Sequence, residues 1–214
     1  MEALDYSLFS AQMADSSTLT VLLKGHLWVE HVVTQALEVS LADSAHLNVE
    51  RMSFAAKLDL ALAAGALAPK LGPPLKRINR LRNDAAHDLT FKLTEEMMRG
   101  LVDSFSSSQL QDMWKEIDRN GHSLAMKLSN WIHVVVYAVA WQNILTDYER
   151  TNKQALEVYR LIKALGDRLG DSRTDDELRA AYGVPTPPDP REVWSDYTAE
   201  SSVFMGAASE TTSH

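Results

Sequence analysis

The sequence predicts an all-α fold: a helical bundle with a long central helix and an extended, partly disordered C-terminal tail. Three observations predict it. Nearly every periodic segment spaces its apolar residues three and four apart, the repeat of a helix with one buried stripe. No convincing strand pattern and no internal repeat appears. Gly and Pro gather where one periodic segment ends and the next begins, as in "GALAPKLGPP" (65–74).

The elements follow in chain order. Thr18 to Leu41 carries Leu22, Val29, Val32, Val33, Ala36 and Leu37 on one stripe and predicts a long amphipathic helix. Ser53 to Leu67, rich in Ala and Leu, predicts a second, closed by Gly65 and Pro69. Pro73 and Pro74 suit the first turn of a third, where a missing N–H costs no helical hydrogen bond, and this helix runs to about His87. Thr94 followed by Glu95 and Glu96 reads as an N-cap with acids in the first turn, opening a short helix that ends near Phe105. Gln109 to Asp118 has helical spacing, interrupted by "DRNGH" (118–122). Ser123 to Leu169 predicts one or two long helices with Trp131, Val135, Ala138 and Leu145 facing the core. Thr174 to Ala181 forms a last short helix before the extended, Pro-rich "GVPTPPDP" (183–190). The closing "ESSVFMGAASETTSH" is too polar and small to pack by itself. One helical domain over residues 5–170 and an acidic tail over 171–214 are therefore expected.

Composition bounds the chemistry. The 214 residues suffice for one sizeable core, and 45% hydrophobic with 23% charged residues is the balance of a soluble globular chain. No apolar run reaches the roughly 18 residues of a membrane span, and "WIHVVVYAVAW" (131–141) suits a buried helix better. The N-terminus lacks the basic segment of a secretory signal, so a cytoplasmic chain with no membrane partner is expected. Without cysteine there are no disulfides, thiol nucleophiles or thiolate metal sites. The net charge of −8 argues against a broad phosphate-binding surface, and no DNA partner is expected. The charge is unevenly spread. Residues 171–214 hold nine acids and three bases, whereas Lys70 to Lys92 holds six bases against Asp84 and Asp88.

That basic island contains "INRLRNDAAHDLTF" (78–91), the stretch richest in chemistry. On a wheel, Leu75, Ile78, Leu81, Ala85 and Leu89 fall within about 120° and form the expected buried face. Arg82 lies about 40° from Ile78, at the stripe's edge, so its guanidinium needs an acidic or hydrogen-bonding partner. Asn83 and His87 are four apart, so an amide could orient an imidazole, with Asn79 one turn earlier. Arg82 and His87, five apart, point about 140° away from each other. They converge only if the helix unwinds near His87 or a second copy faces the first. Equally, Arg82 can pair with a core acid and His87 can simply sit at a helix C-terminus, where the dipole favours it.

"LRNDAAH" resembles the R-N-x-x-x-H signature of the HEPN superfamily. "LLKGHLWVEHVVTQAL" is similar to that family's long first helix, "FAAKLDLALAAGAL" to the helix before the motif, and 123–149 to the long helix after it. The resemblance spans roughly residues 15–150, with a more distant likeness to the mannitol-repressor group. It implies a HEPN-like helical bundle, usually a homodimer, whose motif helices meet at the interface. It also implies metal-independent RNA cleavage in toxin–antitoxin, defence or RNA-processing settings, with no cofactor and no metal. His87 would then be the general acid/base at the ribose 2′-hydroxyl or the leaving 5′-oxygen, a role suited to a pKa near neutrality. Arg82 would neutralise the developing phosphorane charge, and Asn83 would orient His87 or bind phosphate. RNA, a second copy and an antitoxin or other partner protein are the partners implied. Some members cut no RNA and act instead as nucleotide-binding subunits or regulators.

A supporting set accompanies the motif: Asn79 and Asp84 on the motif helix, and His26 and Glu30 on the first long helix, four apart and able to pair. An acid beside the motif arginine is common in the family, and Glu30 is the expected partner of Arg82, with Asp59 second. "HLWVEH" (26–31) does not match either zinc-peptidase order, and its histidines point about 140° apart. "DRNGH" lacks the closing acid of a calcium loop. Trp114, Trp131 and Trp141 read as core, and no phosphate-binding glycine loop or nucleophile elbow is present.

Overall fold

The computed structural model describes residues 4–41, 47–106, 114–115 and 121–193, and among them every regular element is helical. The order is α1 (Tyr6–Met13), α2 (Thr18–Ser40), a 3₁₀ turn (Val49–Arg51), α3 (Phe54–Ala63) and a second 3₁₀ turn (Pro69–Leu71). It continues with α4 (Gly72–His87), α5 (Glu95–Val102), α6 (Leu124–Thr151), α7 (Lys153–Leu169), α8 (Asp175–Ala181) and the single turn α9 (Pro190–Val193). Most of the expected helix at 109–118, and the expected disorder beyond Val193, lie outside the described residues.

Local chemistry sets the helix starts. Asp5, Ser17, Ser53, Thr94 and Ser123 each accept a hydrogen bond from a first-turn backbone N–H through the side-chain oxygen. Thr174 and Glu177 form a reciprocal capping box at α8. α3 stops earlier than its apolar run suggests, because Gly65 takes φ 71° and turns the chain towards the Pro69 turn. The short α1 was not expected from the sequence. Its two buried residues, Phe9 and Met13, lie four apart, too brief a pattern to stand out, and Phe9 packs against Trp28 and His133.

The long central helix is present as α6, and α2 packs along it to make the core. Leu22, Val29, Val32 and Val33 of α2 and Ile132, Val135, Val136 and Val139 of α6 are fully buried. Asn143 donates to the Val32 carbonyl at 2.9 Å, and Trp131 donates to the Leu101 carbonyl of α5 at 3.2 Å. Trp114, Trp131 and Trp141 are core residues. By length and composition α6 is the one helix among the described residues able to cross a membrane, and 67% of its most apolar window is buried inside the fold.

The two long helices come into close contact at Gly25. A Cβ there would lie 2.2 Å from Ile132 Cδ1 and 3.1 Å from each of its two γ carbons. Ile132 is fully buried and β-branched, so it has little room to turn away. Gly25→Ala is expected to cost about 1–3 kcal/mol in urea unfolding. Unchanged stability would show that the helices separate freely at this point.

α7 leaves the main core at Asn152 and carries a second, smaller apolar cluster: Leu156, Tyr159, Leu178 and Val184. Past Gly170, which takes the left-handed conformation that ends α7, residues 174–184 fold back on it. Asp175 accepts from Tyr159, Lys163 and Arg179, and these donors, Lys163 first, hold its carboxyl far below the usual carboxylate range. Arg179 also stacks 4.6 Å from the Tyr159 ring centre.

Candidate functional site

α4 presents the candidate residues. Pro73 and Pro74 occupy its first turn, and Leu75, Ile78 and Leu81 are buried against the bundle. The apolar face expected from the wheel ends sooner than predicted. Ala85 is half-buried and Leu89 is fully exposed, because the helix stops at His87 and Leu89 no longer follows its angular order. Asp88 is extended (φ −122°, ψ 108°), and its carboxylate accepts from the Thr90 hydroxyl at 2.7 Å and the Thr90 N–H at 2.8 Å. These two bonds, the hydroxyl first, lower the Asp88 pKa and fix the turn that ends α4.

The last turn of α4 is closed, with the Asp88 N–H donating to the Asp84 carbonyl at 3.0 Å. Unwinding near His87 therefore does not bring Arg82 and His87 together. On this unbroken helix they diverge by about 140°. His87 is exposed and makes no hydrogen bond or ion pair with any described residue. Asp84 is exposed too and contributes only its carbonyl here. Arg82 is half-buried, and its Nη1 donates to the side-chain oxygen of Asn83 at 3.0 Å. Asn83 is thus committed to Arg82 and does not orient His87 within the chain, contrary to the i, i+4 expectation.

The acid expected beside Arg82 is engaged elsewhere. Glu30 accepts from Lys57 of α3 at 2.7 Å, and the second candidate, Asp59, pairs with Lys76 at 3.2 Å. The reason is burial. The Lys57 side chain is 5% exposed and its ammonium would be uncompensated without a carboxylate, whereas Arg82 keeps partial access to solvent and an amide partner. Lys57 is not among the residues expected at the site, although it shares a stripe with Phe54, Leu58 and Ala61 (i, i+3, i+4, i+7), where a lysine signals a buried ion pair.

His26 does not pair with Glu30 either. It is 1% exposed, and its Nε2 lies 3.2 Å from the Asn79 side-chain oxygen, which ties α2 to α4 one turn before Arg82. Burial pushes its pKa below the usual histidine value; Arg82 acts in the same direction, against Asn79 and Glu30. His31 is exposed while His26 is buried, so the two histidines of "HLWVEH" do not converge. The structure thus joins His26 to Asn79 and Arg82 to Asn83, and leaves His87 alone at the helix end. Compared with known proteins, the chain matches no family model, no curated protein and no solved structure.

Proposed function

We propose that this chain is a HEPN-type, metal-independent RNA endonuclease of the cytoplasm, toxin-like or defence-like, acting at a composite site across a homodimer. One observation carries the reading. A half-buried arginine held by its neighbouring asparagine is followed, five residues on, by an exposed imidazole with no hydrogen bond or ion pair to any described residue, all inside the basic island. The imidazole takes the 2′-hydroxyl proton, the 2′-oxygen attacks phosphorus, and the bond to the 5′-oxygen breaks as the imidazolium returns that proton to it, leaving a 2′,3′-cyclic phosphate and a 5′-hydroxyl. Arg82 neutralises charge on the phosphorane with a fork of donors.

Because the two side chains diverge on one closed helix, the partner copy supplies the second of them. A surface on α2 supports such a copy: Leu19, Leu23 and Leu27 are exposed at four-residue spacing, on the helix that carries His26 and Glu30. The test is cleavage of a mixed RNA substrate in EDTA. Wild type is expected to cut, and His87→Ala to lose about 10²–10⁴ of the rate. Leu27→Glu is expected to sediment as a monomer and lose cleavage. No cutting by wild type, or equal cutting by His87→Ala, contradicts the proposal.

A second reading is a non-catalytic HEPN-type regulator or scaffold that binds a partner protein, an antitoxin among them, or a nucleotide. The exposed stripe Val158, Leu161, Leu165 and Leu169 on α7 favours a protein partner, since these residues fall within about 80° on the wheel. The acidic net charge favours it as well. Under this reading no RNA is cut, and Leu161→Asp weakens partner binding.

A further inference from the structure

His26 sits where α2, α3 and α4 meet. The Phe54 ring of α3 stands edge-on to the imidazole at 4.7 Å, and Asn79 of α4 holds Nε2 at 3.2 Å. Nδ1 is buried and makes no hydrogen bond with any described residue. An imidazole with one nitrogen bonded and the other buried without an acceptor is neutral, with the tautomer set by the network: Nε2–H donates to the Asn79 oxygen. A second proton, on Nδ1, finds no acceptor there. The charged groups facing the ring are Arg82 from α4 and Glu30 from its own helix, and Glu30 already holds Lys57 from α3 at 2.7 Å. α6 offers no relief, as it places Ile132 against Gly25, the residue before His26. A charged His26 therefore adds a cation beside Arg82, close to a carboxylate already neutralised.

From this arrangement we infer that buried His26 is an acid-sensitive latch between α2 and α4: while neutral it holds the motif helix against α2, and in mild acid the second proton, stranded on Nδ1 without an acceptor, favours the open state in which it reaches water, even though a charged ring donates more strongly to Asn79. The device is independent of what chemistry Arg82 and His87 perform. Its direction follows from the ring's preferences. The unfolded ring titrates near 6.5, and the folded ring lower because of its burial first and Arg82 after it. The latch is fully closed above about 6.5 and is lost as pH falls through the lower folded value. Over the window between the two values, each pH unit raises the open population about tenfold.

The experiment is amide hydrogen exchange by mass spectrometry on the full chain at pH 7.5 and pH 5, corrected for intrinsic rates. In wild type, peptides covering 75–87 are expected to lose protection at pH 5, by at most about tenfold for each pH unit below 6.5, while peptides from the centre of α6 do not. His26→Gln keeps an amide near Asn79 and removes the titration, so its α4 protection is expected to be the same at both pH values. An identical acid loss in His26→Gln, or no acid loss in wild type, overturns the latch. Should His26→Gln not fold, NMR titration of ¹³C-histidine-labelled wild type decides. A His26 resonance that titrates below the free-histidine range, together with α4 opening, supports the latch, and one that titrates like free histidine overturns it.

Discussion

Equal mixing of His87→Ala and Arg82→Ala copies is expected to restore cleavage to about a quarter of the wild-type rate, although each variant alone has lost about 10²–10⁴ of it. In a two-fold composite site each centre takes Arg82 from one copy and His87 from the other. Random pairing makes about half of the dimers mixed, and each mixed dimer carries one intact centre and one with both residues missing. The closed last turn of α4 is what makes this expectation sharp, because it prevents the two side chains from converging within one chain. If the mixture is no more active than its parts, the centre is not shared between copies. With a shared centre, a purified mixed dimer, obtained with two affinity tags, is expected to show about half the wild-type rate.

Glu30→Ala is expected to lower the unfolding free energy by about 3 kcal/mol, by leaving the Lys57 ammonium buried without a counter-charge. Lys57 is 5% exposed at its side chain and Glu30 26%, so the lysine cannot recover its hydration unless the helix pair loosens. For a chain of this length the loss amounts to a fall of roughly 10 °C in Tm. Lys57→Met, which replaces the buried cation with an apolar chain of similar length, is expected to be near neutral, and Glu30→Ala combined with Lys57→Met to recover most of the loss. Equal destabilisation by Glu30→Ala and Lys57→Met would show that the pair itself, not the stranded charge, carries the energy. Arg82→Ala offers a contrast. Its guanidinium is half-buried and bonded to a neutral amide, so its removal is expected to change stability by about 1 kcal/mol.

The helical class and most of the element starts were legible because they rest on local physics. Ser17, Ser53, Thr94 and Ser123 cap the helices they precede, and Pro73 and Pro74 begin α4, since capping and ring geometry act within a single turn. The α6 stripe of Trp131, Val135 and Ala138 was readable for the same reason: periodicity alone places it inward. The sequence also determined that Arg82 and His87 share a helix and diverge on it, given where that helix ends. What it could not assign were partners across helices. Glu30 is one turn from His26 on α2, yet burial of Lys57 on α3 claims it, so Arg82 turns to Asn83 and His26 to Asn79. Leu89 obeys the wheel on paper and stands in solvent, because Asp88 and Thr90 end the helix first. Only the tertiary structure decides such pairings. A buried charge is satisfied by whichever carboxylate the packing brings within about 3 Å, and no spacing along one chain encodes that distance.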